Sequence, residues 1–457
     1  MRRVAPRSLR ISQVGLRGVV GSAMTAAHIL DFASAFGMFL EADGPIVIGR
    51  DPRASGVMIR HGVIAALLAC GRDVIDLGIV STPVVQHAIR GLEAAGGISI
   101  GASHNTADWN ALKFLGPRGI YLSTAEASEL LDIYHLKKFR FVEWNRVGTL
   151  RLWDEAVDAY LDELAAVYDF SSLRRFKVVV DCCNGTSSLV LRRLNDRFGF
   201  RFILINEKME GVWFAHEPST TQSIVELQLA PLVKPLGADA GFLFDADSDR
   251  VAVATENGCA VSEELVLPML ADHLLLHGPG KLVITNLSTT GLVDEVARWH
   301  GGKVVRVPVG RQAAMDALTS YPPEEIAIAG EGTGAVMMPQ FRFVYDGIAA
   351  MLAILTMLDE RGKKLSEILA SYPRFSILKG QVPLASQQIP ALLMKLQRLY
   401  SDGIPNVQDG LRIDWPDRWF HIRVSQTEPI VRLICEQRGD PPQALFDSLL
   451  EQLRSFA

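Results

Sequence analysis

Short β-rich apolar runs alternate with helical patterns along most of this chain, and the alternation occurs three times. Runs at residues 45–48, 73–77 and 97–100 flank helical patterns at 58–69 and 83–92. This is a β–α–β–α–β reading. Runs at 177–180, 202–205 and 241–244 repeat it, as do 281–285, 303–307 and 326–329. The pattern predicts three α/β units of comparable size, diverged past simple sequence identity. From about Phe375 the rhythm changes to strands near 411–413, 420–424 and 431–435 and a final helix from Pro442. The expected fold class is therefore α/β: three similar domains with mixed sheets, then a C-terminal α+β domain. Their expected extents are 1–150, 151–257, 258–372 and 373–457.

The last strand of each α/β unit runs into a polar loop. GISI leads into GASHN at 101–105, GFLF into DADSDR at 245–250, and IAIA into GEGTG at 330–334. Ligands of α/β sheets bind beyond the carboxyl ends of strands. Three such ends are expected to converge on one central cleft. The tail adds its own polar turn, SQTEP, at 425–429.

Composition narrows the partners. A chain of 457 residues, 49% of them hydrophobic, is too long for a single core and suggests about three or four domains. Its formal net charge of −5 gives it no electrostatic reason to coat nucleic acid or an anionic membrane. An anion site must then come from local Arg, Lys or backbone N–H groups. No run of about 18 apolar residues is present, so no membrane span is expected. The basic start, MRRVAPRSLRISQ, lacks the apolar stretch of a secretory leader. Five scattered cysteines suit reduced thiols in the cytoplasm better than a disulfide framework. The adjacent Cys182 and Cys183 read as small core residues near a strand end.

The loops carry the chemistry. Ser103 follows a buried-type strand, where a hydroxyl serves as a covalent nucleophile if a neighbour activates it. Ser103, His104 and Asn105 equally suit an ordinary turn. Asn105 stands where an acyl-transfer elbow needs glycine, which disfavours acyl transfer. Asn110 and Lys113 follow in the same segment and bring an amide and a cation. In the second loop, Asp245, Asp247 and Asp249 alternate with Ala246 and Ser248. The spacing imitates the start of a calcium-binding EF-hand, with Glu256 at its twelfth position. However, Arg250 occupies the sixth position, where that loop needs glycine, and strand-like runs flank it. Three acids without histidine suggest Mg2+ completed by an external oxygen, and strand-end acids repel one another unless a cation joins them. A solvated acidic turn is the alternative.

Glu331 and Thr333 sit among glycines that permit close backbone approach and offer hydrogen bonds to hydroxyls, although a plain glycine turn has the same composition. Arg423, Ser425, Gln426 and Thr427 surround the tail's turn. They supply a guanidinium fork and hydroxyls suited to phosphate oxygens, or else cap a hairpin. Arg17, between glycines, and the turn at 49–53 read in isolation as surface turns with ion pairs.

In this order, the segments GLRG, GRDPRAS, GASHNTADWNALK, DADSDR, GEGTG and RVSQTEP resemble the α-D-phosphohexomutase family over essentially the whole chain. The resemblance implies an intramolecular phosphotransferase of the isomerase class. Such an enzyme interconverts hexose 1-phosphate and hexose 6-phosphate through a phosphoserine and a 1,6-bisphosphate intermediate. It implies one Mg2+ per chain, hexose 1,6-bisphosphate as activator, a small phosphosugar as partner, and a cytoplasmic monomer or homodimer. Residue by residue, Ser103 would carry the phosphate. Asp245, Asp247 and Asp249 would hold Mg2+, with a phosphoserine oxygen as a further ligand. Arg250 would lie beside the transferring phosphoryl and Arg17 would support it. His104 and Lys113 are the candidate proton carriers. Glu331 and Thr333 would hold sugar hydroxyls, and Arg423, Ser425, Gln426 and Thr427 the phosphate that is not reacting.

The chain departs from the common pattern at several positions. Thr106 stands where Pro is usual and Ala111 where Gly is usual, and Ala246 and Ser248 replace glycines of the metal loop. Thr333 and Ala335 stand where many members carry Ser and His, so the acid–base group is not assigned by the resemblance. The GEG-x-G form resembles archaeal-type phosphoglucosamine mutases, which tilts the expected substrate toward glucosamine phosphate, with glucose or mannose phosphate as the alternative. A phosphatase using the same serine has no need of a second phosphate clamp. A sugar-phosphate-binding relative without turnover would not need Ser103, the three aspartates and Arg250 together.

Overall fold

A computed structural model of the chain describes residues 9–12, 15–339, 341–383, 388–424 and 430–456. It divides into two compact units. One is Met1–Val266 with Thr333–Ser366, and the other is Leu267–Gly332 with Glu367–Ala457.

The first unit contains two sheets. The expected strands of the opening repeat form as Ile46–Arg50, Val74–Ile79 and Gly96–Ile100, all parallel. Trp109–Leu115 then turns back antiparallel to Gly96–Ile100, and Gly15–Val19 pairs antiparallel with it in turn. With Arg10–Ser12 and Leu150–Leu152 at its edges, this mixed sheet has seven strands. Helices Ala26–Phe39, Gly56–Ala69 and Thr124–His135 help bury it. The rings of Phe32 and Tyr134 stack with centroids 3.8 Å apart, and Phe36 lies 4.9 Å from Phe114. Helix Thr124–His135 starts on a reciprocal cap: Glu126 N–H donates to Ser123 Oγ, and Ser123 N–H donates to the Glu126 carboxylate.

The second sheet repeats the plan. Lys177–Asp181 lies between Arg201–Ile205 and Ala240–Phe244, all parallel, and Val251–Thr255 folds back antiparallel to Ala240–Phe244. Every residue of Ala240–Phe244 and Val251–Thr255 is buried, so both read in the sequence as apolar runs without alternation. Cys182 and Cys183 are buried beyond the end of Lys177–Asp181, as expected of core residues.

Helix Gly347–Arg361 belongs to the same unit although the chain reaches it late. Asp346 caps it by accepting from Ala349 N at 3.0 Å, and Tyr160 donates its hydroxyl to Asp346 at 2.9 Å. Ile348, Leu352, Ile354 and Leu355 are fully buried, each stabilising the unit by about 1.5–3 kcal/mol. Gly347 N donates to Ser248 O at 3.1 Å, which ties the helix start to the aspartate loop.

In the second unit, Leu282–Asn286 lies between Lys303–Val307 and Ile326–Gly330, all parallel. The tail forms an antiparallel sheet ordered Phe375–Pro383, Ile430–Arg438, Arg418–Val424, Leu411–Asp414 and Ile404–Asn406. Helices Ile389–Leu399 and Gln443–Arg454 cover its core of Leu392, Leu396, Phe420, Leu433 and Leu449. This is the expected α+β pattern. No helix among the described residues is long and apolar enough to cross a membrane.

Candidate active site

The serine loop and the aspartate loop are the same device in two sheets. Each leaves the carboxyl end of a parallel strand and returns as an antiparallel strand, so each is a tight β–β connection at a sheet's ligand-binding edge. Both hold a non-glycine residue in the left-handed region, Ser103 at φ +48° and Ser248 at φ +62°. Such a conformation costs roughly 1–2 kcal/mol, and the surrounding hydrogen bonds must offset it. Ser248 Oγ lies 3.1 Å from Thr186 Oγ1, and Thr186 N and Oγ1 both donate to Ala246 O, at 3.0 and 3.2 Å.

The two loops meet. Ser103 is fully buried, and its hydroxyl donates to Asp245 Oδ2 at 2.6 Å. Asp245, Asp247 and Asp249 are all buried, with one carboxylate oxygen of each within 4.8 Å of the others. Burial, and then the charges of Asp249 and Asp247, push the Asp245 carboxyl well above the usual carboxylate range. Lys113, also buried, relieves part of this repulsion. Its Nζ pairs with Asp247 Oδ2 and lies 3.5 Å from Asp249 Oδ2. Thr82 adds a hydroxyl donated to Asp247 Oδ2 at 2.8 Å. Asp247 Oδ1, by contrast, is buried and accepts no hydrogen bond among the described residues. A buried carboxylate oxygen without a donor, inside a cluster of three acids and no histidine, fits a hard cation bound through oxygen.

Arg250 closes the loop. Its N–H donates to Asp245 Oδ1 at 3.2 Å, and its Nη1 donates to His104 Nδ1 at 3.0 Å. Arginine has no acceptor, so His104 Nδ1 accepts here and a neutral ring carries its proton on Nε2. Arg17 Nη1 donates to Asn105 Oδ1 at 3.1 Å. Ser103, His104, Lys113, Arg17, Arg250 and the three aspartates are thus gathered in one place.

The other expected residues divide between the units. Thr333 belongs to the first unit, where its carbonyl accepts from Thr220 Oγ1 at 3.0 Å and its own Oγ1 is buried without a partner among the described residues. Glu331 belongs to the second, where Thr289 Oγ1 holds the neighbouring Gly332 N–H at 3.2 Å. Arg423 is the penultimate residue of the strand Arg418–Val424, is buried, and donates from Nε to Asp409 Oδ2 at 3.2 Å. Ser425, Gln426 and Thr427 lie outside the described residues.

Two readings need correction. The turn at 49–53 is not a surface turn, because Asp51 and Arg53 are buried. Asn110 brings no amide to Ser103. Its Nδ2 donates to Ser55 Oγ at 3.0 Å and its Oδ1 accepts from Ala111 N at 2.8 Å. Thr82 was missed, although a signal existed. Ser81-Thr82-Pro83 marks a helix start just past the strand Val74–Ile79, another strand end facing the same edge.

Comparison with known proteins places the chain in a family. Family models described as "Phosphoglucomutase/phosphomannomutase, alpha/beta/alpha" domains I, II and III match residues 10–141, 158–258 and 263–375. A Thermococcus kodakarensis protein named "Phosphoglucomutase/phosphomannomutase" is 31% identical over 93% of this chain and 94% of its own. A Pyrococcus horikoshii protein named "Probable phosphoglucosamine mutase" is 34% identical over 92% of each. The crystal structure of a phosphoglucomutase/phosphomannomutase family protein from Burkholderia thailandensis superposes with a TM-score of 0.83. It is 26% identical and covers 98% of this chain and 97% of that one. The chain belongs to the α-D-phosphohexomutase family, and it is an enzyme of the isomerase class.

Proposed function

We propose that this phosphohexomutase interconverts glucosamine 1-phosphate and glucosamine 6-phosphate, with Ser103 as the phosphate carrier. The observation that carries the mechanism is the 2.6 Å bond from Ser103 Oγ to Asp245 inside the three-aspartate loop. Ser103 hands its phosphoryl group to a sugar hydroxyl. The bond from Oγ to phosphorus breaks as the sugar oxygen bonds to phosphorus, the hydroxyl gives up its proton, and Oγ regains one. Asp245, Asp247 and Asp249 would hold Mg2+, which when bound supplies charge neutralisation to the phosphoryl oxygens. Arg250 and Arg17 add fixed positive charge beside the same group. His104 and Lys113 are the candidate proton carriers: His104 takes the hydroxyl proton at Nδ1 once Arg250 Nη1 releases it, and Lys113, an ammonium in its pair with Asp247 and Asp249, returns one to Oγ. Glu331 and Thr333 fix the sugar hydroxyls.

The substrate assignment rests on the loop Gly330-Glu331-Gly332-Thr333-Gly334 and on the name of the Pyrococcus relative. The name of the Thermococcus relative favours a second reading, in which glucose or mannose phosphate is preferred. Side-by-side turnover of the 1-phosphates of glucosamine, glucose and mannose decides between them. The proposal expects the highest kcat/KM for glucosamine 1-phosphate, and a higher value for either neutral sugar would overturn it.

A mutase must bind its sugar twice, once with each phosphate facing Ser103, so the distal phosphate needs one fixed clamp. Arg423, held at Nε by Asp409, is proposed to supply it with Ser425, Gln426 and Thr427. Arg423→Ala removes a charge-assisted contact and is expected to weaken binding by about 2–3 kcal/mol. That corresponds to a loss of affinity of about 30- to 150-fold. Isotope-labelled bisphosphate should then appear in bulk solution more often per turnover than with wild type. Unchanged affinity and leakage would show that another group is the anchor.

A further inference from the structure

Arg53 carries none of the roles assigned above, yet its side chain is fully buried against the serine loop. Its Nε donates to Asp51 Oδ2 at 2.8 Å. Nη2 donates to the carbonyls of Ser103 at 2.8 Å and Asn105 at 2.7 Å. Nη1 donates to Trp109 O at 3.3 Å and to Thr106 O. A guanidinium has five N–H donors and no acceptor, so every donor is used, four of them on the backbone that carries Ser103. Asp51 is fixed in turn. Its Oδ1 accepts from Arg53 N at 3.1 Å, and it packs so closely beneath Gly101 that a Cβ there would come within 2.7 Å of Oδ2.

The brace extends into the second sheet's domain. The Phe214 ring lies 4.9 Å from the Arg53 guanidinium carbon, within cation–π range. Ala54 N donates to Gly211 O at 2.9 Å. Gly211, at φ +76°, approaches Pro52 so closely that a Cβ would fall 2.0 Å from Pro52 O. The segment bearing Gly211 and Phe214 is pinned at both ends. Asn206 Nδ2 bonds Asp181 at 3.0 Å, and His216 Nε2 lies 3.2 Å from Asp181 Oδ2. Ala215 N donates to Asn184 Oδ1 at 2.7 Å.

We propose that Arg53, backed by Asp51 and Phe214, is a positioning residue for phosphoryl transfer: it holds the serine loop in the left-handed conformation that aims Ser103 Oγ at Asp245. The role rests on Ser103 being the phosphate carrier. Lysine cannot substitute, because an ammonium has three donors and no planar fork. A loosened serine loop would misalign the phosphoryl group toward the sugar while leaving it open to water.

The test uses the full-length enzyme, labelled by radioactive hexose 1,6-bisphosphate and then given glucosamine 1-phosphate. Two rates are read together, label passed to sugar and label lost to water as inorganic phosphate. Their ratio does not depend on the fraction of protein that is folded. The expected hydrolysis-to-transfer ratio rises about tenfold or more in Arg53→Lys and about threefold in Phe214→Leu, with KM within about threefold of wild type. If Arg53→Lys does not accumulate as folded protein, Phe214→Leu decides alone. A proportional fall of both rates, or no change in either, with label on Ser103, would reduce Arg53 to a purely structural group and overturn the proposal. Label mapping to a different residue would instead remove the reading of Ser103 on which the role rests.

Discussion

Ser103→Ala is expected to lower turnover by at least about ten-thousandfold, the scale on which removal of a covalent nucleophile acts. The fold should survive. The side chain is small and fully buried, and the bond lost is the one to Asp245. Such a loss costs about 1–3 kcal/mol at most, a modest part of the stability of a unit with two sheets and a buried helix. Alanine tolerates the left-handed backbone about as poorly as serine, so the exchange adds little strain. Phosphopeptide mapping of wild type incubated with hexose bisphosphate should place the label on Ser103, and the alanine variant should take up none. Label elsewhere would contradict the assignment.

The second large effect is expected at Asp247. Asp247→Asn keeps the shape but removes a charge from a buried cluster. The residue also carries the bonds from Thr82 and Lys113 and the orphaned Oδ1. An amide is a weak ligand for a hard cation. The Mg2+ concentration giving half-maximal turnover should rise about a hundredfold, equivalent to about 2.7 kcal/mol of metal binding. Wild type should lose activity in excess chelator and regain it with Mg2+. A titration of turnover against free Mg2+ measures both, and full activity in excess chelator would contradict the metal reading.

Much of this site was legible because its chemistry sits on loops bounded by strong apolar runs. GISI and GFLF are buried on every residue, so the strand ends, and with them Ser103 and Asp245, could be placed within a residue or two. What could not be read was pairing. The antiparallel return strands Trp109–Leu115 and Val251–Thr255 turn each loop into a hairpin, and that registers Lys113 beside Asp247 and Asp249. The sequence shows only that Lys113 follows Ser103 by ten positions. The turn at 49–53 misled for a related reason. Arg and Asp two residues apart usually form an exposed pair. Arg53 is buried because five acceptors, four of them carbonyls fifty or more residues away, converge on it. Convergence of that kind belongs to tertiary structure and leaves no local pattern. Thr82 lies between the two cases, since the helix start was visible and its partner in another sheet was not.

This enzyme is proposed to move phosphate within a hexose through Ser103. One incubation tests it most directly: purified enzyme with glucosamine 1-phosphate, Mg2+ and a trace of glucosamine 1,6-bisphosphate, with sugar phosphates and inorganic phosphate quantified over time. Glucosamine 6-phosphate should accumulate to equilibrium, inorganic phosphate should stay at background, and the rate should rise with the bisphosphate trace. Release of inorganic phosphate in step with loss of the 1-phosphate would identify a phosphatase. No conversion of this or any other hexose 1-phosphate would identify a binding protein, and either result would contradict the account.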